Sequence, residues 1–175
     1  SLLIFSIFKF SKTLFQSSAV GVLSVMLFLL NGSLSFLNFF EAHPLGLNTF
    51  KEIISNNTFP AFGPYDGSTV SAFWNLNIFT NQRHLAAAYS ISFLLLTFLI
   101  SKIRDQRTIS FRSAIIIGVI LGLYPFFHLA VFLITGLIIG SLTILFPKYR
   151  IRLTITLLIA GIIALPQYLF LQSSP

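Results

Sequence analysis

The chain has 175 residues, and only 11 Lys or Arg and 4 Asp or Glu carry a formal charge. Charged residues make up 9% of the sequence and apolar residues 55%, including 21 Phe, whereas soluble domains carry roughly 25% charged residues. So few charges cannot cover a soluble surface, and disordered chains are excluded because they are poor in aromatic residues. With no Cys, neither disulfides nor thiolate metal sites are available. The composition predicts an all-α, polytopic transmembrane protein.

The first apolar run, residues 2–8, is too short to cross a bilayer, which takes about 20 residues. It meets Lys9 and Lys12 instead of the small residues that end a secretory signal peptide. We interpret it as the end of a preceding helix, with a short interfacial piece as the alternative. Both ends of the sequence predict an internal piece of a longer chain, whose remainder would then be a partner.

Four apolar stretches follow, and we predict that residues 1–175 form a single transmembrane module. The stretches are residues 13–30 with a possible extension to 40, residues 85–100, residues 114–146, and residues 153–171 with Pro166 near the end. One long polar loop, residues 38–84, separates the first two stretches. The predicted partner of all four stretches is the lipid bilayer.

Positive charge predicts the orientation, because cytoplasmic loops collect Lys and Arg near the ends of spans. The loop 38–84 holds two basic residues against three acids, which predicts an extracytoplasmic loop in a plasma membrane or endoplasmic reticulum protein. The other basic residues flank the spans in three short segments, which predicts that these segments are cytoplasmic: Lys9, Lys12, Lys102, Arg104, Arg107, Arg112, Lys148, Arg150 and Arg152. This placement explains the pI of about 10.2 without nucleic acid as a partner.

The third stretch must enter and leave on the same side, because Arg112 and Lys148 are both predicted to be cytoplasmic. Two full crossings need about 40 residues and a turn, but only residues 113–147 are available. The break lies at YPFFH, where Pro125 removes a backbone donor and kinks the helix. Residues 114–123 rise only about 15 Å. We therefore predict a helical hairpin of unequal arms over 113–147, with its turn inside the membrane or near the outer face.

Two kinds of residue in this hairpin predict packing or function. Small residues in two pairs predict close helix packing: Gly118 with Gly122 and Gly136 with Gly140. His128 lies at the predicted turn, and an ionisable residue within a span is a candidate functional residue. The alternative is a neutral imidazole that forms a hydrogen bond with a carbonyl of the broken helix.

The outer loop is far longer than the usual connection of about 4–6 residues. Asp66 follows the turn-forming sequence PAFGPY and is either a turn former or a contact for a metal or hydroxyl group. Glu41 and His43 could in principle bind a cation, but two residues at that spacing are not enough to identify a cation site. The loop ends at Asn81, Arg83 and His84.

Arg83 is the single Arg on the predicted outer side, and it lies at the level of the lipid head groups. Amide side chains and His84 accompany it, which suits a phosphate or pyrophosphate because Arg binds these groups with two parallel hydrogen bonds. The alternative is an anchor whose charged end reaches the interface while its stem lies along apolar surface.

Two passages together carry a family resemblance. Residues 75–86 read NLNIFTNQRHLA and resemble an NxxxxQRxL passage that leads into a helix in large membrane proteins. Residues 118–128 read GVILGLYPFFH and are similar to a GLLPLFH hairpin in the same proteins. Over residues 21–146 the chain resembles the GT-C superfamily of glycosyltransferases, which take sugars from polyprenyl-phosphate carriers at the outer membrane face.

The resemblance implies an enzyme that transfers a sugar from a polyprenyl-phosphate donor, with each site residue in a definite role. Arg83 would hold the donor phosphate, Asn81 and His84 would lie beside it, and His128 would line the cavity beneath. The pattern also includes an acidic base or metal ligand in the first outer loop. We expect that acid upstream of this chain, with Asp66 as the other candidate. A divalent cation stays open as the cofactor.

Two other classes of protein fit the same spans. A transporter or channel subunit would use the break at residues 125–128 as its substrate site, because broken helices form such sites in many transporters. A purely structural membrane subunit would need neither the break nor Arg83 for binding.

Overall fold

The structure is a computed structural model that describes residues 2–30, 44–55 and 83–173. Every regular element in these ranges is a helix, so the predicted all-α fold is confirmed. The helices are α1 (Leu2–Phe15), α2 (Ser18–Leu30), α3 (Thr49–Ser55), α4 (Arg83–Arg104), α5 (Phe111–Gly122), α6 (Pro125–Leu145) and α7 (Arg150–Ser173), with a 3₁₀ turn at Pro147–Tyr149.

Within the described ranges, three segments are long and apolar enough to cross a membrane: His84–Arg104, Pro125–Leu145 and Pro147–Phe170. The corresponding helices α4, α6 and α7 are about 31–36 Å long at 1.5 Å per residue, which matches the ~30 Å hydrocarbon core. Large apolar side chains lie on their outer faces, with Leu137 72% and Ile144 75% exposed. Apolar patches of this kind mark a membrane or protein contact, and together with the spans they support the predicted polytopic membrane protein.

The predicted spans at residues 85–100 and 153–171 lie within α4 and α7. Each helix extends a few residues beyond the apolar stretch at both ends, and every extension except the end of α7 includes basic residues. This extension is expected because Lys and Arg have good helix propensity and their charged ends reach the membrane interface.

The predicted first span, residues 13–30, is wrong at its start. α1 continues to Phe15, and the chain turns at Gln16, whose φ of 54° lies in the left-handed region. Ser17 then caps α2, because its side-chain oxygen accepts a hydrogen bond from the Val20 N–H at 3.3 Å. The apolar composition is continuous across this turn, so hydropathy gives no sign of it.

The short apolar run at residues 2–8 belongs to α1, which packs side by side with α4. The rings of Phe10 and Phe93 have centroids 5.2 Å apart. Further along, the Arg104 guanidinium donates a hydrogen bond to the Thr13 carbonyl at 3.0 Å. α1 therefore runs in the same direction as α4 and lies beside a helix of membrane-spanning length.

α4 and α6 also run in the same direction. The His84 and His128 rings lie together near the start of each helix. About two turns further on, Ser92 Oγ and Thr135 Oγ1 are 2.9 Å apart. Because the 3₁₀ turn Pro147–Tyr149 reverses the chain between α6 and α7, α7 runs opposite to both.

The predicted hairpin of unequal arms is confirmed. Its arms are α5, with 12 residues, and α6, with 21 residues, or about 18 and 31 Å. They meet at Leu123 and Tyr124, but both arms pack mainly on α7 and have little contact with each other. The Tyr124 hydroxyl donates to the Ala88 carbonyl at 3.3 Å. The turn therefore lies about 8 Å along α4 from Arg83.

One of the two predicted glycine pairs mediates close packing. A Cβ on Gly118 would lie 2.8 Å from the Thr156 carbonyl oxygen, and one on Gly122 would lie 2.7 Å from Ile163 Cβ. α5 thus approaches α7 at a distance that only glycine allows. Gly136 and Gly140 have nothing within 4 Å of such a Cβ among the described residues, and the prediction of close packing is not met there.

The basic segments of the described chain gather at one end of the helices. The Lys148 ammonium donates to the Gln106 carbonyl at 3.2 Å, and the Tyr149 hydroxyl lies 3.5 Å from the Lys102 carbonyl. α4 ends there in a tight turn, in which Gln106 has a φ of 56° and the Arg107 N–H donates to the Lys102 carbonyl at 2.9 Å. This is a Schellman arrangement, which satisfies the last carbonyls of the helix.

The chain divides into two compact units, and residues 1–25 with 83–175 form the first. The second unit is Met26–Gln82, of which the structure describes the end of α2 and residues 44–55. Before α3, the Gly46 N–H donates to Thr49 Oγ1 at 2.7 Å, and the Thr49 N–H donates to the Gly46 carbonyl at 3.1 Å. These two hydrogen bonds close the turn that begins the helix.

Candidate functional site

The candidate site lies at the end of α4 that is remote from the basic segments. Arg83 begins α4 and His84 follows it, with an exposed side chain. Asn81 and Asp66 lie outside the described residues, as do Glu41 and His43. Of the predicted site residues, the structure therefore places the Arg83 backbone, His84 and His128.

His84 and His128 come together although 44 positions separate them in the sequence. Their ring centroids are 6.2 Å apart, and the ring planes make an angle of 22°. His84 is exposed and His128 is half-buried. Both residues were predicted at one site, and the stacked rings show that the start of α4 and the start of α6 meet there.

His128 interrupts α6 one turn after Pro125. Its backbone is extended, with φ −165° and ψ 102°, so the helix is broken and resumes at the next residue. The N–H groups of Phe127 and His128 both donate to the Tyr124 carbonyl at 2.7 Å. The predicted break at YPFFH is thus present, and its last residue carries the change of backbone direction.

The Nδ1 atom of His128 is buried and has no hydrogen-bond partner among the described residues. Buried polar atoms without a partner are uncommon in folded proteins, and they often mark a bound ligand, an ion or a catalytic role. The break therefore leaves one imidazole nitrogen available next to the exposed ring of His84.

Beneath the two rings, hydroxyl groups join α4 to the hairpin. Ser92 donates to the Tyr124 hydroxyl at 3.3 Å, and Tyr124 donates to the Ala88 carbonyl at 3.3 Å. Thr135 Oγ1 lies 2.9 Å from Ser92 Oγ and 2.7 Å from the Val131 carbonyl. This network was not predicted from the sequence, because Ser and Thr in an apolar helix give no sign of which helix they face.

A second missed residue is Gln167, which is buried in α7. Its Nε2 lies 2.8 Å from the Gly122 carbonyl and 2.7 Å from the Ile163 carbonyl, and donates to both. The Gly122 carbonyl is at the end of α5, where helix carbonyls have no partner within the helix. Gln167 therefore covers the short arm of the hairpin, although its own Oε1 is buried without a partner among the described residues. A polar amide side chain within an apolar span, between Pro166 and Tyr168, was the feature of the sequence that could have identified Gln167.

A divalent cation does not fit the residues that the structure describes. No group of three or more His, Cys, Asp or Glu side chains lies close enough to hold a metal ion in this part of the chain. His84 and His128 alone supply two imidazoles, fewer than the usual set of ligands. We derive no chemical step through a cation.

Comparison with known proteins finds no matching family model, no similar curated protein and no similar solved structure. The resemblance to GT-C glycosyltransferases therefore stays a prediction. What the described chain supports by itself is an integral membrane protein built from helices, with two histidines stacked at a broken helix.

Proposed function

We propose that this chain is part of a GT-C-like glycosyltransferase, which uses a polyprenyl-phosphate-linked sugar donor at the extracytoplasmic face. The observation that supports the proposal is the stack of His84 on His128 at the break in α6, directly beside Arg83. The NQRHLA and LYPFFH passages that carry the family resemblance thus provide two residues of one site.

The electrostatics of this site favour a phosphate. α4 and α6 both begin here, and the start of a helix carries about half a positive charge. The first turns of both helices lack acidic residues. A phosphate at this end would gain from both helix dipoles, from Arg83 and from imidazole donors.

The proposed reaction breaks the bond between the anomeric carbon of the sugar and the carrier phosphate. An acceptor hydroxyl forms the new bond to that carbon and gives up its proton to a base outside the described residues. The carrier leaves as a phosphate with one more negative charge on oxygen. Arg83 stabilises that charge, which is the role that positioned cations have in such transition states.

The proposal includes an orientation of the protein. The basic end of the helices faces the cytoplasm, and the site at Arg83 faces the opposite side. The grouping of basic residues from three segments at one end supports this orientation, because cytoplasmic loops are enriched in Lys and Arg.

An Arg83→Ala substitution in the full-length protein tests the function. We expect the rate of sugar transfer from a radiolabelled polyprenyl-phosphate donor to fall about 100-fold or more, the usual effect of removing a group that stabilises transition-state charge. Arg83→Lys should retain part of the activity, because a point charge replaces the two-pronged contact. Arg112→Ala, at the opposite end, is the matched control. Normal transfer by Arg83→Ala would disprove the role.

A transporter or channel subunit is the second candidate, and the hydroxyl network at the α4–α6 contact favours it. Ser92, Tyr124 and Thr135 place polar groups next to a broken helix, as in many substrate sites of transporters. Deletion of the gene separates the two candidates. Altered surface glycans with normal solute uptake indicate the transferase, whereas lost uptake with normal glycans indicates the transporter.

A further inference from the structure

The basic end of the helices contains a groove of about 840 Å³ between α1, the turn after it and the end of α4. Small-molecule sites have volumes of roughly 300–1,000 Å³. Lys9, Lys12 and Arg104 line the groove, together with Asp105 and the rings of Phe5 and Phe8. We propose that this groove binds the phosphate head group of an anionic phospholipid from the leaflet at the basic end. The proposal does not depend on the glycosyltransferase function.

The first support is a positive charge that the residues described by the structure do not neutralise. Lys9, Lys12 and Arg104 supply three positive charges and Asp105 one negative charge, so the groove has a net charge of +2. Within the described residues, the one ion pair is Arg104 with Asp105, at 2.8 Å. The two lysines therefore remain available to a ligand with negative charge.

The lysines are held by aromatic rings instead of acids. The Lys9 Nζ lies 5.5 Å from the centre of the Phe5 ring, and the Lys12 Nζ lies 5.8 Å from that of Phe8. Each Lys follows its Phe by four positions, so the side chains meet on one face of α1. A cation over an aromatic ring keeps its N–H groups free for another acceptor.

Arg104 forms the other wall of the groove and is held in position. Its guanidinium donates to the Thr13 carbonyl at 3.0 Å and to Asp105 Oδ1 at 2.8 Å. These bonds use two of the five N–H donors of an Arg side chain. The remaining N–H groups can donate to a phosphate oxygen, and the bond to Thr13 keeps the opposite walls of the groove together.

Asp105 stays ionised and does not release its Arg partner. The hydrogen bond from Arg104 is the main cause that lowers the pKa of the Asp105 carboxyl below its ordinary value, with desolvation opposing and the charges of Arg104, Arg107 and Lys102 adding to the effect. A lowered pKa means that this pair is present above about pH 4 and is lost only in stronger acid. The negative charge of Asp105 is therefore constant near neutral pH.

The aromatic floor favours a lipid over a soluble phosphate. Phe5 is 52% exposed, and Leu2, one turn before it on α1, is 54% exposed. The floor of the groove thus continues into apolar surface that acyl chains can cover. Basic pockets between membrane helices bind anionic head groups in this way, and each Lys or Arg near the surface adds to the attraction.

The experiment uses the full chain in nanodiscs of phosphatidylcholine, titrated with phosphatidylglycerol and followed by native mass spectrometry. We expect tight binding of phosphatidylglycerol, reduced about 10- to 30-fold by the pair Lys9→Gln and Lys12→Gln. That reduction corresponds to about 1.4–2 kcal/mol at 1.4 kcal/mol per tenfold. Lys102→Gln is the matched control, because Lys102 lies over Phe98 in the same way, 5.5 Å from the ring centre, without lining the groove.

An Asp105→Asn variant gives a test in the opposite direction. It removes the negative charge of the groove, so we expect affinity for phosphatidylglycerol to rise a few-fold, a result that misfolding would not produce. Equal losses in the Lys9/Lys12 pair and in Lys102→Gln would overturn the proposal. Displacement by inorganic phosphate with no preference for phosphatidylglycerol over phosphatidylcholine would also overturn it, since the groove would then bind free phosphate.

Discussion

Single polar side chains hold the described helices together at places where the backbone is interrupted. Tyr124 lies between α5 and α6 and contacts Ser92 and the Ala88 carbonyl on α4. Gln167 reaches from α7 to the last carbonyl of α5. An unpaired polar group is costly in a membrane, and apolar contacts cannot supply its hydrogen bonds. Each of these residues therefore stabilises a place where a helix is interrupted.

A Tyr124→Phe substitution tests the hydroxyl network. We expect the free energy of unfolding to fall by about 0.6–1.7 kcal/mol, the range measured for hydrogen bonds between membrane helices. Unfolding in a mild detergent, followed by circular dichroism against denaturant, measures this change. Tyr168→Phe is the matched control, because among the described residues the contact to that hydroxyl comes from within α7, from the Gln172 amide at 2.6 Å. Equal effects of both substitutions would contradict the proposed importance of the network.

At the level of single residues, the sequence identified ionisable side chains that lie in or next to apolar stretches. His128 and Arg83 are ionisable residues at or within apolar sequence, and this contrast identified both. Tyr124, Ser92 and Gln167 were not identified, because their importance depends on a partner in another helix. A hydroxyl in an apolar helix otherwise bonds to the carbonyl four residues earlier, as Thr97 does with Phe93.

The helices themselves show where hydropathy predicts well and where it fails. The long spans α4, α6 and α7 were predicted because a run of about 20 apolar residues is typical of a membrane-spanning helix. The turn at Gln16 was not predicted, since a left-handed residue without Gly or Asn leaves no mark in the sequence. The glycine pairs were equivalent by spacing, and only the packing of α5 on α7 distinguishes them.

The two glycine pairs provide an internal comparison. Gly118→Ala places a Cβ about 2.8 Å from the Thr156 carbonyl, so we expect a loss of about 1–3 kcal/mol in the free energy of unfolding. Gly136→Ala has open space and removes a flexible residue from a helix, so we expect no loss and a gain of up to about 1 kcal/mol. Denaturant unfolding of both variants in the same detergent measures the difference. Equal stabilities would show that α5 does not approach α7 as closely as described.

At the scale of the whole molecule, the positions of the charged residues predict more about the structure than their number does. The basic residues of the first unit, apart from Arg83, lie at one end of the helices, whereas α4 and α6 begin at the other end with no acid in their first turns. The sequence predicted that the basic segments share one side. It did not predict that they enclose a groove, because that depends on the turn at Gln16, which brings α2 back beside α1 at Gly21 and Phe8.

Labelling of single cysteines tests the orientation of the whole chain. These 175 residues contain no Cys, so each introduced thiol is the single reactive site within them. We expect an impermeant maleimide to label Leu47→Cys on intact cells and Thr108→Cys only after permeabilisation, because the proposed orientation puts the loop 38–84 outside and the basic end in the cytoplasm. Both positions are exposed. Labelling of both from the same side would contradict the orientation.

The brevity of α5 has a consequence for the surrounding lipid. At about 18 Å it is shorter than the ~30 Å hydrocarbon core, whereas the helices it contacts, α6 and α7, are at least that long. The helices of the hairpin and α7 therefore present unequal hydrophobic lengths to the lipid. Bilayers respond to such a mismatch by thinning locally, and proteins respond by tilting. We therefore expect the bilayer to be thinner beside α5 than beside α6 and α7.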